Sequence, residues 1–141
     1  MELLRPDSLE AAKAALVNGA VPLAGGTELV PLTRDRIVDA TTLVDVSAIV
    51  PKGIDGTTIG AGATLGELEA NAQVPHALRE ACRLAASPQL RAMGTIGGNL
   101  LQATRCWYWR LKYPCRLHGG DICHARQGEH REHAIFGNDF C

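Results

Sequence analysis

Four of the five cysteines, Cys106, Cys115, Cys123 and Cys141, fall in the last thirty-six of 141 residues, in a stretch without the apolar periodicity of a packed domain. From Ala103 to about Glu132 the chain carries few branched aliphatics and is punctuated by Pro114, Gly119, Gly120 and Gly128. A compact domain seldom contains so long a structureless loop. Something other than a hydrophobic core is expected to hold it, and the chain changes character near residue 103. The first hundred residues contain only Cys82, which sits in a helical pattern and reads as a small buried hydrophobe.

Those first hundred residues carry ordinary folding signals. Asp7 or Ser8 can cap a helix through Leu9, Ala12, Ala15 and Leu16 that ends at Asn18-Gly19. Ala20 to Ala24 reads as a short buried strand running into the Gly25-Gly26 turn, followed by a helical turn over Thr27 to Leu32. Thr42 to Val46 and Thr57 to Ile59 read as strands, separated by the turn signals Pro51-Lys52-Gly53 and Asp55-Gly56. Thr64 and Glu67 have capping-box spacing at the start of a second helix, which Pro75 interrupts. A third helix is expected from His76 to Ala86, stopped by Ser87-Pro88. His133-Ala134-Ile135-Phe136 looks like a return to a core strand.

With 46% hydrophobic and 21% charged residues the chain can bury a core, and a net charge of -1 supplies no basic field for nucleic acid or an anionic membrane. Met1 to Asp7 lacks the order of a signal peptide, so a cytoplasmic location is expected.

Two segments are suited to close backbone approach to a ligand: Ala24-Gly25-Gly26-Thr27-Glu28-Leu29, and Gly94-Thr95-Ile96-Gly97-Gly98-Asn99-Leu100. Glycines leave no Cβ in the way, so successive amide N–H groups can converge on phosphate oxygens. Thr27, Thr95 and Asn99 can add side-chain hydrogen bonds, and a helix beginning near Thr27 would aim its positive end at a diphosphate. Each segment taken alone is also what an ordinary turn looks like. Neither has Rossmann or Walker spacing.

The cysteines leave several chemistries open. None of their spacings is a CxxC knuckle, which disfavours structural zinc, although His118, His124, His130 and His133 offer alternative ligands. Disulfides need an oxidising compartment. An iron–sulfur cubane needs four thiolates converging from any direction and would order a loop that apolar burial cannot. Trp107, Tyr108 and Trp109 can anchor that loop by aromatic packing and exclude water, while Arg105 and Arg110 can offset negative charge. His76 and His130 read as solvated surface histidines.

Taken in order, Ala24-Gly25-Gly26-Thr27-Glu28-Leu29, Leu43-Val44-Asp45-Val46, Ile59-Gly60-Ala61-Gly62-Ala63-Thr64 and Thr95-Ile96-Gly97-Gly98-Asn99-Leu100 resemble the FAD subunit of molybdenum hydroxylases. That is the family of xanthine dehydrogenase, aldehyde oxidoreductases and molybdenum-type carbon monoxide dehydrogenase. The resemblance implies an α+β, two-subdomain FAD-binding domain of the molybdopterin dehydrogenase flavoprotein type with an inserted cysteine-rich loop. It places a first subdomain at residues 1–60, β-α-β with extra strands, and a second, incomplete one at 61–141 with an iron–sulfur loop at about 103–132. Contacts to FAD are implied at Ala24, Gly25, Gly26, Thr27, Glu28, Leu29, Thr95, Ile96, Gly97, Gly98 and Asn99.

The run from Gly97 through Arg105-Cys106-Trp107-Tyr108-Trp109-Arg110, then Cys115, Cys123 and His133 to Phe136, is similar to the subgroup that also binds a [4Fe–4S] cluster. Cys106, Cys115, Cys123 and Cys141 are its implied ligands, with His124 or His118 as substitute for the last. In this family the flavin subunit works in a heterotrimer with a molybdenum-cofactor large subunit and a [2Fe–2S] small subunit. It passes electrons between the [2Fe–2S] clusters and an external acceptor. The implied activity is that of an oxidoreductase subunit in which no acid, base or nucleophile is identified. A periplasmic location is open if the chain is exported with a signal-bearing partner. A complete flavin subunit continues well beyond residue 141, so this chain is expected to be its amino-terminal part. Two other readings remain for comparison: a zinc-binding interaction module and a non-redox nucleotide-binding domain.

Overall fold

A computed structural model describes residues 1–55, 58–131, 133 and 141. The chain folds as two compact units, Met1–Gln102 and Ala103–Cys141.

The first unit opens with a parallel sheet. Strands β1 (Glu2–Leu4), β2 (Val21–Leu23) and β3 (Thr42–Asp45) lie in the order β1-β3-β2, all parallel. Helix α1 (Leu9–Val17) connects β1 to β2, and α2 (Leu29–Arg34) connects β2 to β3. The expected first helix is present, and Ser8 rather than Asp7 caps it, its hydroxyl accepting from Ala11 N–H at 3.2 Å. Two consecutive side chains of β3, Leu43 and Val44, are buried. Neighbouring residues of a strand face opposite sides, so this central strand is covered on both faces, as parallel strands are.

A second packing centre follows within the same unit. The hairpin β4 (Ile54–Asp55) and β5 (Thr58–Ile59) is antiparallel and precedes α3 (Leu65–Ala70), α4 (His76–Ala85) and α5 (Pro88–Met93). Ala63, Leu65, Leu68, Val74 and Cys82 form its core, with Ile54, Ile59, Leu78 and Ile96 packed against them. Cys82 is therefore a core residue as expected; burial, and then the negative Glu69, push its thiol up from its ordinary value.

The capping box at α3 is complete. Thr64 Oγ1 accepts from Glu67 N–H at 3.2 Å, and the Glu67 carboxylate accepts from Thr64 N–H at 2.7 Å. The carboxylate also accepts from the Thr64 hydroxyl at 2.9 Å, and its two bonds from Thr64, first the backbone one and then the hydroxyl, hold the Glu67 carboxyl below its usual range. Thr64→Ala is expected to lower stability by about 1 kcal/mol, read as a shift in the urea midpoint with unchanged slope.

Ser87-Pro88, read as a stop, is also a start. Ser87 caps α5, whose first residue is Pro88, where the missing N–H costs nothing. A further short helix, α6 (Ile96–Leu100), begins after Thr95. Among the described residues no helix is long and apolar enough to cross a membrane.

The second unit is not structureless. It contains α7 (Trp107–Arg110), a 3-10 helix (Arg116–His118) and α8 (His124–Gln127), joined by turns. Its interior is small: Cys115 and Ala125 are its buried hydrophobic residues among those described. The strand expected over His133 to Phe136 lies outside the described residues from Ala134 onward.

Candidate functional site

The first glycine segment is the turn between β2 and α2. Ala24 to Thr27 form the turn, Glu28 caps α2 and Leu29 is its first residue. Gly26 has φ +71, a left-handed conformation that side chains other than glycine rarely adopt, and its carbonyl accepts from Val30 N–H at 3.1 Å. Gly25 lies flat against the end of α5. A Cβ there would stand 1.8 Å from Met93 O and 2.6 Å from its carbonyl carbon.

That contact brings the two glycine segments together, although some seventy residues separate them in sequence. Thr27 Oγ1 also lies 3.4 Å from where a Gly94 side chain would begin. On its other side the second segment lies along Ala61 to Leu65. Gly94 O accepts from Leu65 N–H at 2.9 Å, Thr64 and Thr95 form an antiparallel bridge, and Ile96 N–H donates to Ala63 O at 2.8 Å. Gly97 N–H donates to Ala61 O at 2.9 Å, and a Cβ on Gly97 would meet Ala61 Cβ and O at 2.9 Å.

The result is a floor of three backbone segments, 24–27, 93–97 and 61–65, in which small residues permit the approach. The part played by 61–65 was signalled by the alternation Gly60-Ala61-Gly62-Ala63, but flavin contacts were expected only in the other two segments.

The structure corrects one physical expectation. The N–H groups of Ile96, Gly97, Gly98 and Asn99 do not stand free to converge on a phosphate. Ile96 and Gly97 bond to the 61–63 backbone, Gly98 donates to Thr95 Oγ1 at 3.2 Å, and Asn99 donates to Thr95 O at 2.8 Å. The last two bonds cap and begin α6, and the first two tie it to the 61–63 backbone. What the second segment presents is therefore a surface largely free of side chains, with Thr95 and Asn99 half-buried beside it and Gly98 exposed.

In the second unit three cysteines occupy equivalent places. Cys106 precedes α7, Cys115 precedes the 3-10 helix and Cys123 precedes α8, each as the cap residue without a side-chain capping bond. The carbonyl of Cys106 accepts from Arg110 N–H, that of Cys115 from His118 and Gly120, and that of Cys123 from Arg126 and Gln127. Spacing alone does not disclose this arrangement, because four-residue helices are too short to show a period.

Cys141 caps no helix and is exposed. Its thiol is pushed up from its ordinary value by burial first, and then by Cys106, Cys123 and Cys115, so all three act on it electrostatically. All five cysteines are free thiols. Cys106, Cys115, Cys123 and Cys141 do not, however, stand as a ready ligand set: among the described residues no group of three or more His, Cys, Asp or Glu is arranged to hold a metal ion.

Aromatic rings bind the unit together around Tyr108. Tyr113 meets it edge-on at 5.2 Å, His124 lies at 5.5 Å and His133 stacks at 5.8 Å, while its hydroxyl donates to Glu129 O at 3.2 Å. Trp107 meets His133 edge-on at 4.8 Å, and Trp109 stacks with His118 at 6.1 Å. All of these ring contacts lie within the second unit, so the Trp107-Tyr108-Trp109 run packs the unit on itself. His124 Nε2 and His133 Nδ1 are buried without a hydrogen-bond partner, a costly state for a polar atom.

The first unit thus combines a parallel sheet and its connecting helices with a floor of glycine-rich backbone, and the second is small and cysteine-rich. The family described as FAD binding domain in molybdopterin dehydrogenase matches residues 1–127, and the chain belongs to it. The aldehyde oxidoreductase FAD-binding subunit PaoB of Escherichia coli (strain K12) is 38% identical, over 90% of this chain and 43% of its own length. The carbon monoxide dehydrogenase medium chain of Afipia carboxidovorans is 39% identical, over 67% of this chain and 37% of its own. Among solved structures, the cyanide-inactivated Cu,Mo-CO dehydrogenase superposes with a TM-score of 0.64 at 37% identity, covering 70% of this chain and 38% of that one. The chain spans less than half the length of these relatives.

Proposed function

We propose that this chain holds FAD in the electron-transfer subunit of a molybdenum-containing hydroxylase or dehydrogenase. The observation that carries the reading is the Gly25 to Met93 approach, which joins two family motifs into one cradle where any side chain at Gly25 would collide with backbone. Ala24 to Leu29 would line one side of the dinucleotide and Thr95 to Asn99 the other. When bound, FAD supplies the exchange between one-electron and two-electron carriers. The residues of this chain bind and orient it, and none acts as acid, base or nucleophile. The β1-β3-β2 sheet with its helices and the packing centre from β4 onward, both within Met1–Gln102, would form the two lobes of this domain. Substrate oxidation belongs to a molybdenum-cofactor large subunit, and a [2Fe–2S] small subunit delivers the electrons.

In the second unit we propose a [4Fe–4S] cluster on Cys106, Cys115, Cys123 and Cys141. Three helix-start thiols and a fourth that feels all of them supply the donor set, and cluster binding draws them together. The reach of the relatives supports the added unit, since the aldehyde oxidoreductase subunit matches 90% of the chain and the carbon monoxide dehydrogenase chain 67%.

The test is the absorption spectrum of the anaerobically purified full-length subunit, with flavin, iron, sulfide and zinc assays. The expected result is one FAD and about four irons with matching sulfide per chain. Absence of flavin overturns the whole reading. Flavin without iron removes only the cluster, and stoichiometric zinc replaces it with a structural metal site.

A further inference from the structure

We infer that Arg91 is the positioning residue of the cradle: its guanidinium, in place of buried apolar side chains, fixes α5 and so sets the second glycine segment against the first. The inference rests on the proposed FAD binding and concerns what holds the binding geometry in place.

Helix α5 has six residues and none of them is buried. Leu90 and Met93, its large apolar side chains, are 47% and 58% exposed. Five of the six residues are exposed, and the exception is Arg91. A helix so short has little stability of its own and must be held by tertiary contact. In α5 the polar contacts of Arg91 do what an apolar face does elsewhere.

Those contacts reach α3 and the end of α4. Arg91 Nε donates to the Glu69 carboxylate on α3 at 2.8 Å. Its Nη1 donates to Arg83 O at 3.0 Å and to Ala86 O at 2.5 Å, carbonyls of the last turn and cap of α4, which lack partners inside their own helix. The side chain is only 13% exposed, and its bonds to Glu69 and Ala86 are partly shielded from solvent. A guanidinium can do this because its donors are fixed in a plane and point in several directions; a lysine ammonium on a flexible stem does not reproduce that geometry.

Two residues beyond Arg91, Met93 presents its carbonyl to Gly25, and Gly94 N–H closes the helix on Leu90 O at 2.7 Å. A Cβ on Gly66 of α3 would stand 3.5 Å from Arg91 O, so α3 runs close to this turn of α5. A displacement of α5 therefore moves the backbone that separates the two glycine segments. Arg91 is remote from any chemistry and acts only through that backbone.

The experiment compares Arg91→Ala, Arg91→Lys and Val74→Ala in the full-length subunit. FAD affinity is measured by quenching of flavin fluorescence, the environment of bound flavin by visible circular dichroism, and stability by urea unfolding of the apo form. Val74 is buried in the same core and touches none of the cradle bonds, so its substitution reports loss of stability alone. Both Arg91 variants are expected to weaken FAD on the order of tenfold or more and to alter the visible dichroism of the flavin still bound. Val74→Ala is expected to lose stability with affinity and dichroism unchanged. If Arg91→Lys binds FAD like wild type, or if affinity merely follows stability across all three variants with unchanged dichroism, the positioning role is overturned while FAD binding stands. A wild-type subunit that binds no FAD overturns both.

Discussion

Gly25→Ala is expected to empty the subunit of flavin and to destabilise it by about 3 kcal/mol, the upper end for overpacking a well-filled site. The added methyl group would sit 1.8 Å from a backbone oxygen, and the neighbour cannot rotate away as a side chain would. Relief requires moving either the β2–α2 turn or the end of α5. The first is bound to Gly26 in its left-handed conformation, the second to Leu65 through Gly94 O and to α3 and α4 through Arg91. The control is Gly53→Ala, where nothing lies within 4 Å of the new Cβ and φ is not positive. That change is expected to stay within about 0.5 kcal/mol of wild type with flavin retained. Flavin content after gel filtration and urea midpoints decide the matter. Full flavin occupancy in Gly25→Ala would show that the close approach of the two segments is irrelevant to binding.

What could be read from the sequence follows the range of the interaction responsible. Ser8 and Thr64 were legible as caps because a cap acts over three residues, and the capping box at Glu67 was found in full. β3 was legible as a run of branched residues. β1 and β4 were not, since Glu2-Leu3-Leu4 and Ile54-Asp55 are two or three residues long and become strands only through partners elsewhere in the chain. Helix α6 was hidden by Gly97 and Gly98, which oppose helix by about 1 kcal/mol each and are tolerated where Thr95 and the 61–63 backbone take up their N–H groups.

The same distinction applies to the site. The glycine motifs were legible as places of close approach, but not what they approach. Gly25 meets Met93 and Gly97 meets Ala61, contacts fixed by tertiary folding. The expectation of free amides failed at residues 96–99 because the 61–63 backbone takes the first two and the start of α6 the other two. The four cysteines were legible as a group by their crowding alone. Their shared place at helix starts, and the orphaned nitrogens of His124 and His133, needed coordinates.

Cys115→Ser is expected to strip the iron, from about four per chain to nearly none, and to unfold the second unit while leaving the first intact. A unit of about forty residues is at the size where a chain needs metal, disulfide or partner to stay folded. The thiols here are free, and Cys115 and Ala125 are the buried hydrophobic residues described in it, so the proposed cluster would supply the stability that a core cannot. Cys115 is also the local hub: its N–H donates to Tyr113 O, its carbonyl takes His118 and Gly120, and it bridges to Ile122. Serine keeps every one of those backbone bonds, so a loss of iron reports on the sulfur itself. Limited proteolysis should then cleave beyond residue 103 and spare the sheet and helices before it. Cys82→Ser is the control, expected to retain full iron while losing stability, because a hydroxyl replaces a thiol in an apolar core. Cys141→Ser discriminates the fourth ligand: loss of iron is expected. Retained iron in Cys141→Ser together with loss in His124→Ala would move that ligand to the buried imidazole beside Cys123.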